Sequence, residues 1–129
     1  MKTRRTGDAL VSAGAVWIAR NRDEWLELQR VCLEIEAKRD RHGRPKAHSI
    51  TRGGVYSTCE MRGIKVSDNA TFRRDHDLWS VLSRYLTELH PQLRRVIRHR
   101  ECDVARQVRM HGLPELEPKY IYKPEGGTK

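Results

Sequence analysis

Two groups of residues have the types that chemistry needs. His99, Cys102 and His111 could ligate zinc, and Asp75, His76 and Asp77, in the run RRDHDLW, resemble the acid-rich patches with which nucleases hold a divalent cation. Spacing decides against both. His99 and Cys102 are three residues apart and can share a helix face, but His111 falls beyond the last turn and no fourth ligand is evident. His42 and His48 could join only if distant loops met. Adjacent residues of a helix point in different directions, so Asp75, His76 and Asp77 cannot converge on one ion without partners from elsewhere. Cys102 has a separate prospect as a thiol, because a helical wheel sets it among Arg95, Arg98 and Arg106, where positive charge favours the thiolate. The chain has no glycine-rich phosphate loop, nucleophile elbow or paired metal-binding histidine motif. A non-enzymatic role without metal or cofactor is the expectation.

What the chain does carry is arginine. Its 129 residues include 26 Lys and Arg against 17 Asp and Glu, a formal charge of +9, and the excess is concentrated. Residues 38 to 74 hold ten Lys or Arg and three acids, and residues 94 to 109 hold six and two, while the remainder is slightly negative. In the first region the run KRDRHGRPK, Lys38 to Lys46, reads as an exposed basic loop punctuated by Gly43 and Pro45, presenting Arg39, Arg41, Arg44 and Lys46. In the second, a helix from Pro91 to about Met110 gathers Arg95, Arg98, Arg106 and Arg109 within roughly a quarter of its circumference. Leu93, Ile97, Val104 and Val108 lie opposite. Each guanidinium can donate two parallel hydrogen bonds to a phosphate. One such row can be a solubility device; two arginine-dense regions with few acids are harder to explain that way, since acidic residues serve solubility at least as well. These clusters point to a polyanion partner, nucleic acid, with DNA preferred over RNA.

The elements that must position these charges read as helices. The hydrophobic fraction of 37% against 33% charged residues suits a core drawn from amphipathic faces. Asp8 to about Arg20 carries Leu10, Ala13 and Trp17 at helical spacing. Its basic and apolar opening imitates a secretory signal, against which stand Asp8 and the helix start that follows at once. Asn21 with Glu24 three residues on forms a capping-box pattern, opening a helix to about Asp40 with Trp25, Leu28, Cys32 and Ile35 on one face and Leu33 in support. Ser49 or Thr51 can cap a third helix to Arg62, stopped by Gly63; the alternative is a small β-hairpin near residues 52–66, pairing Gly54–Cys59 with Gly63–Val66. Ser67, Asp68 and Asn69 precede a helix from Ala70 whose stripe is Phe72, Trp79, Leu82, Leu86 and Leu89, flanked by Leu78 and Tyr85, and Pro91 ends it. The expected fold is a mainly α, compact bundle of about five helices. Residues 1–111 form one domain; the proline-rich remainder, 112–129, is an extended tail, either folded back on its own domain or offering Tyr120, Ile121 and Tyr122 as an edge strand or docking peptide.

The stretch Thr51 to Arg74, TRGGVYSTCEMRGIKVSDNATFRR, resembles a helix-turn-helix. In that family a small residue of the first helix is followed four residues later by a turn glycine, then an apolar residue, a polar cap and the helix that enters the major groove. Cys59, Gly63, Ile64 and Ser67 or Asn69 match these positions, with a turn about two residues longer than usual and with Gly53 and Gly54 as poor helix formers. The resemblance implies that Asn69, Thr71, Arg73 and Arg74 face DNA, Arg73 and Arg74 as base readers, with Arg62 and Lys65 beside them, while Phe72 anchors the helix to the core. It implies a small regulator, and a homodimer if the target is palindromic; the three widely spaced cysteines, Cys32, Cys59 and Cys102, suit a reducing cytoplasm. The rival reading is a small interaction or inhibitor protein, of the kind phages and mobile elements encode, that docks its basic face on a host protein. Neither involves a membrane: no run approaches the ~18 apolar residues that a spanning helix needs.

Overall fold

The computed structural model describes residues 7–62, 76–99 and 103–123. Five α-helices run through them: α1 (Gly7–Arg20), α2 (Arg22–Ala37), α3 (Arg52–Met61), α4 (His76–Leu89) and α5 (Asp103–His111), with 3-10 turns at Pro91–Arg95 and Pro118–Tyr120. The mainly α class expected from the sequence is the one observed. The hairpin alternative fails on its first arm, because residues 54–59 are helical within α3; its second arm, Gly63–Val66, lies outside the described residues. Thr51 is the cap: its Oγ1 accepts from the Gly54 N–H at 3.1 Å, which helps to offset the weak helix propensity of Gly53 and Gly54.

The core is built around α2, whose Trp25, Leu28, Val31 and Cys32 are wholly buried. Onto them α1 brings Leu10, Val11, Trp17 and Ile18, α3 brings Val55 and Cys59, and α4 brings Leu78, Val81, Leu82, Tyr85 and Leu86. Trp25 and Tyr85 meet edge to face, ring centroids 6.3 Å apart at 76°, the arrangement aromatic quadrupoles favour. Helices α1 and α4 are in tight contact at Gly14, where a Cβ would stand 2.5 Å from Val81 Cγ1. The apolar stretch that imitates a signal is therefore a core helix, and no helix among the described residues is long and apolar enough to cross a membrane. Burial pushes the Cys59 thiol up to about 11 and the Cys32 thiol still further, so both sit in the core as protonated packing groups.

Three local expectations are corrected. Asn21 does not cap α2 with its side chain; its amide donates to the Trp17 carbonyl at 2.9 Å. Only this residue separates α1 from α2, and its side chain adds a second bond to the Trp17 carbonyl, which already accepts from the Asn21 N–H at 2.9 Å, instead of serving the orphan amides of α2. Helix α2 ends at Ala37 rather than near Asp40, because the chain closes into the basic loop. The single helix from Pro91 to Met110 is absent: a 3-10 turn covers Pro91–Arg95, residues 97–99 are irregular, and α5 begins at Asp103. The reason is tertiary. The Val96 carbonyl, which a continuing helix would need, accepts from the Ile50 N–H at 2.8 Å. Leu93, Val96 and Ile97 are all buried, and two of the three are β-branched and weak helix formers.

Residues 112–123 are irregular apart from the turn Pro118–Tyr120, and Leu113, Leu116, Tyr120 and Tyr122 pack on the core. Gln29, fully buried on α2, holds them there. Its Nε2 donates to the Tyr120 carbonyl at 2.8 Å and its Oε1 accepts from the Tyr122 N–H at 2.9 Å. Those bonds fix which end of the amide is oxygen, so the 2.9 Å contact between Oε1 and His90 Nε2 requires the proton on that ring nitrogen. Burial lowers the His90 pKa, in keeping with a neutral ring.

Candidate polyanion-binding surface

The loop from Lys38 to Lys46 is held in shape by its own backbone. Arg39 bridges to Pro45 in antiparallel fashion, the Asp40 N–H donates to the Arg44 carbonyl at 2.9 Å and the Lys46 N–H to the Lys38 carbonyl at 3.1 Å. Gly43 makes the turn at φ +80°, where a side chain would be strained. Asp40, the loop's one acid, directs its Oδ1 to the amides of His42 and Arg44 at 2.7 and 3.0 Å. Its charge thus organises the turn in the manner of an Asx motif. Arg41, Arg44 and Lys46 project from this frame, all exposed, and none forms an ion pair with a carboxylate among the described residues. Arg41 Nε lies 3.3 Å from His42 Nε2.

Other arginines singled out in the sequence are employed differently. Arg39 reaches Glu36 Oε2 at 3.4 Å as well as the Glu36 carbonyl. Arg62 pairs with Glu34, as Arg30 does. Arg95 turns inward: its Nε donates to Glu36 Oε2 at 3.0 Å, Nη1 to the Ala47 carbonyl at 2.8 Å and Nη2 to the Glu36 carbonyl at 3.2 Å. Glu27, Glu34 and Glu36, all on α2, thereby hold Arg30, Arg39, Arg62 and Arg95. The Glu34 carboxyl feels burial, which raises its pKa, but Arg62 and Arg30 outweigh that and leave it lowered. The row Arg95, Arg98, Arg106, Arg109 does not share one helix: Arg95 ends the 3-10 turn, Arg98 is exposed in the irregular segment, and Arg106 and Arg109 are carried by α5. Lys65, Asn69, Thr71, Arg73 and Arg74, with Asp75 and Cys102, lie outside the described residues.

A second cationic locus was not foreseen from the sequence, although Arg109, one of its residues, was among the predicted sites. Between α4, the Pro91–Arg95 turn and α5 opens a cavity of about 310 Å³ lined by Arg84, Glu88, Arg94, His99 and Arg109, with Leu113 at its edge. Arg84 is only 7% exposed, and its Nη1 donates to the Ser80 carbonyl at 2.7 Å and to Ser80 Oγ at 2.9 Å. Burial lowers the His99 pKa, the Arg84 charge lowers it again, and a hydrogen bond to the Ser83 backbone opposes them without prevailing. No local sequence signal marks it: Ser83, Arg84 and Thr87 of α4 are polar yet buried, which depends on other elements covering them.

No known family model, curated protein or solved structure matches the chain. Function must therefore be argued from the surface. Among the described residues no three His, Cys, Asp or Glu side chains gather as a metal would require; Cys102, which the sequence set beside His99, lies outside them.

Proposed function

We propose that the protein is a non-catalytic nucleic-acid-binding protein, DNA preferred over RNA, which grips the phosphate backbone with the Lys38–Lys46 loop. The observation that carries this reading is the use of Asp40: the only carboxylate of the loop is engaged by backbone amides, which leaves Arg41, Arg44 and Lys46 exposed on a fixed frame. A preformed row of cations loses little entropy on meeting a phosphate backbone, and each contact releases condensed counterions. Arg98, Arg106 and Arg109 are exposed and add positive charge elsewhere on the surface. Arg39, Arg62 and Arg95 are held by glutamates and contribute less.

The finer reading is a helix-turn-helix regulator in which α3 is the first helix and residues 69–74 enter the major groove. In its support, α3 is helical over Arg52–Met61, and Cys59, the small residue that must face inward in that motif, is fully buried. The test is binding of the purified chain to a labelled random duplex and to a matching single strand between ~50 and ~200 mM salt. Duplex binding that weakens steeply with salt is expected. Absence of binding at the lowest salt overturns the proposal and directs the same basic face to an acidic protein partner.

A further inference from the structure

We infer that the cavity between α4, the Pro91–Arg95 turn and α5 is a binding site for a dianionic phosphate monoester. Three guanidinium groups, Arg84, Arg94 and Arg109, line one opening of about 310 Å³, and among the described lining residues Glu88 is the one carboxylate. With His99 neutral, those lining side chains carry two net positive charges, the complement of a phosphate monoester in its fully ionised form. Arginine suits this ligand because its planar fork matches two phosphate oxygens at once. Arg84 at the floor is fixed by Ser80 and 7% exposed, so its charge acts in a setting where water screens it weakly. Arg94 and Glu88 pair loosely at the rim, 3.6 Å apart with side chains 63% and 69% exposed. A surface pair of that kind is worth about 0 to 1 kcal/mol, so a phosphate can take Arg94 from Glu88 with little penalty. The site is distinct from the loop contact proposed above, which needs only diester charges along a strand.

His99 makes the site pH-responsive. Among the described residues, the charged groups lining the cavity with it are Arg84 and Glu88 from α4, Arg94 from the turn and Arg109 from α5. Without ligand the ring is held below its ordinary pKa and is neutral at pH 7; a bound dianion favours the protonated ring, so binding draws a proton onto His99, while acid that protonates the phosphate, whose second pKa is about 6, opposes it.

The test is titration of the full chain with sodium phosphate, against sodium chloride at matched ionic strength, followed by calorimetry and by the ring resonances of His99. One saturable site is expected. Arg94→Gln and Arg109→Gln each weaken it about tenfold, and Glu88→Gln strengthens it several-fold, about what one neighbouring charge contributes. The opposite sign of the glutamate substitution separates a charge-lined site from general loss of structure. A response no different from chloride, or saturable binding indifferent to all three substitutions, overturns the site. Competition assigns the source of the group: displacement of phosphate by a 5′-phosphorylated but not a 5′-hydroxyl oligonucleotide places a strand end in the cavity, and displacement by glycerol phosphate alone places a small metabolite there. Arg41, Arg44 and Lys46 line no part of the cavity, so their joint replacement by alanine leaves the phosphate titration unchanged even if it abolishes duplex binding. Failure of the loop reading is thus distinguishable from failure of this one.

Discussion

The loop after α2 and the exposed flank of α2 itself lie next to each other in sequence and treat arginine in opposite ways. On the flank, three glutamates hold four arginines, and the charges largely cancel within the molecule. In the loop beyond Arg39, the one acid is turned to the backbone and Arg41, Arg44 and Lys46 are left facing solvent. A count of positive residues cannot tell these situations apart. Which arginines are available to a partner depends on where the nearest carboxylates point, and that is a property of the fold.

The sharpest test of this contrast is to replace Arg41, Arg44 and Lys46 together by alanine. Duplex affinity at ~50 mM salt should fall about a hundredfold or more, and the slope of log affinity against log salt should drop by about three, one for each phosphate that is no longer neutralised. Stability should change little, since none of the three side chains holds the loop together; thermal melting beside the binding titration checks both halves. A large loss of affinity with no change of slope would break the contrast, because it would mean that the residues act through structure.

Arg95→Ala is the mirror experiment. Glu36, 12% exposed at its side chain, would lose its best-placed partner, and the Ala47 carbonyl would lose a donor. We expect about 2 kcal/mol of lost stability by denaturant titration and an unchanged salt slope. A slope lower by about one would show that Arg95 leaves Glu36 to meet phosphate, and that the charges of the flank are not sealed within the molecule.

The sequence made the helices legible where apolar residues recur with the helical period and hard punctuation follows, as in α2 and α4, whose Trp25, Leu28, Cys32, Leu82 and Leu86 are all buried as the pattern requires. It misled where one residue had two possible employers. Asn21 fits a capping box, yet it closes the preceding helix. The segment from Leu93 to Val108 has a helical pattern, yet the Ile50 N–H claims the Val96 carbonyl from a distant part of the chain. The arginine loop was legible because Gly43 and Pro45 mark a turn locally. The cavity was not, because Arg84, Arg94 and Arg109 come from three elements whose mutual placement no local pattern specifies. Gln29 was equally hidden: an amide on a helix face looks solvated until the tail folds over it.

Gly43→Ala asks whether the shape of the loop matters apart from its charge. The substitution alters no charge and, at φ +80°, finds open space but a disfavoured backbone conformation, with a cost of about 1 kcal/mol. Duplex affinity should weaken a few-fold while the salt slope stays constant, as when the same contacts are made from a less ordered starting point. Equal affinity for the variant and the parent would mean that the cations act as a diffuse cloud and that the frame built by Asp40 is incidental.

The smallest effect concerns Arg62, which the helix-turn-helix resemblance sends to DNA and which Glu34 holds instead. Partly exposed pairs contribute about 0.2 to 1 kcal/mol, so Arg62→Ala should lower stability only slightly at pH 7. The pH dependence carries more information. The Glu34 pKa is depressed below its ordinary value of 4.5, so the folded state binds this proton less readily than the unfolded chain. The stabilisation is therefore present above about pH 4.5 and is lost as pH falls through the depressed value. Removing Arg62 removes part of the cause, so the stability difference between parent and variant should be visible at neutral pH and vanish in acid, where Glu34 is protonated in both. If the difference persists in acid, Arg62 acts through packing of its stem. If instead the variant loses duplex affinity as one of the loop residues does, Glu34 releases its arginine to the partner, and the line between the flank and the loop moves to include it.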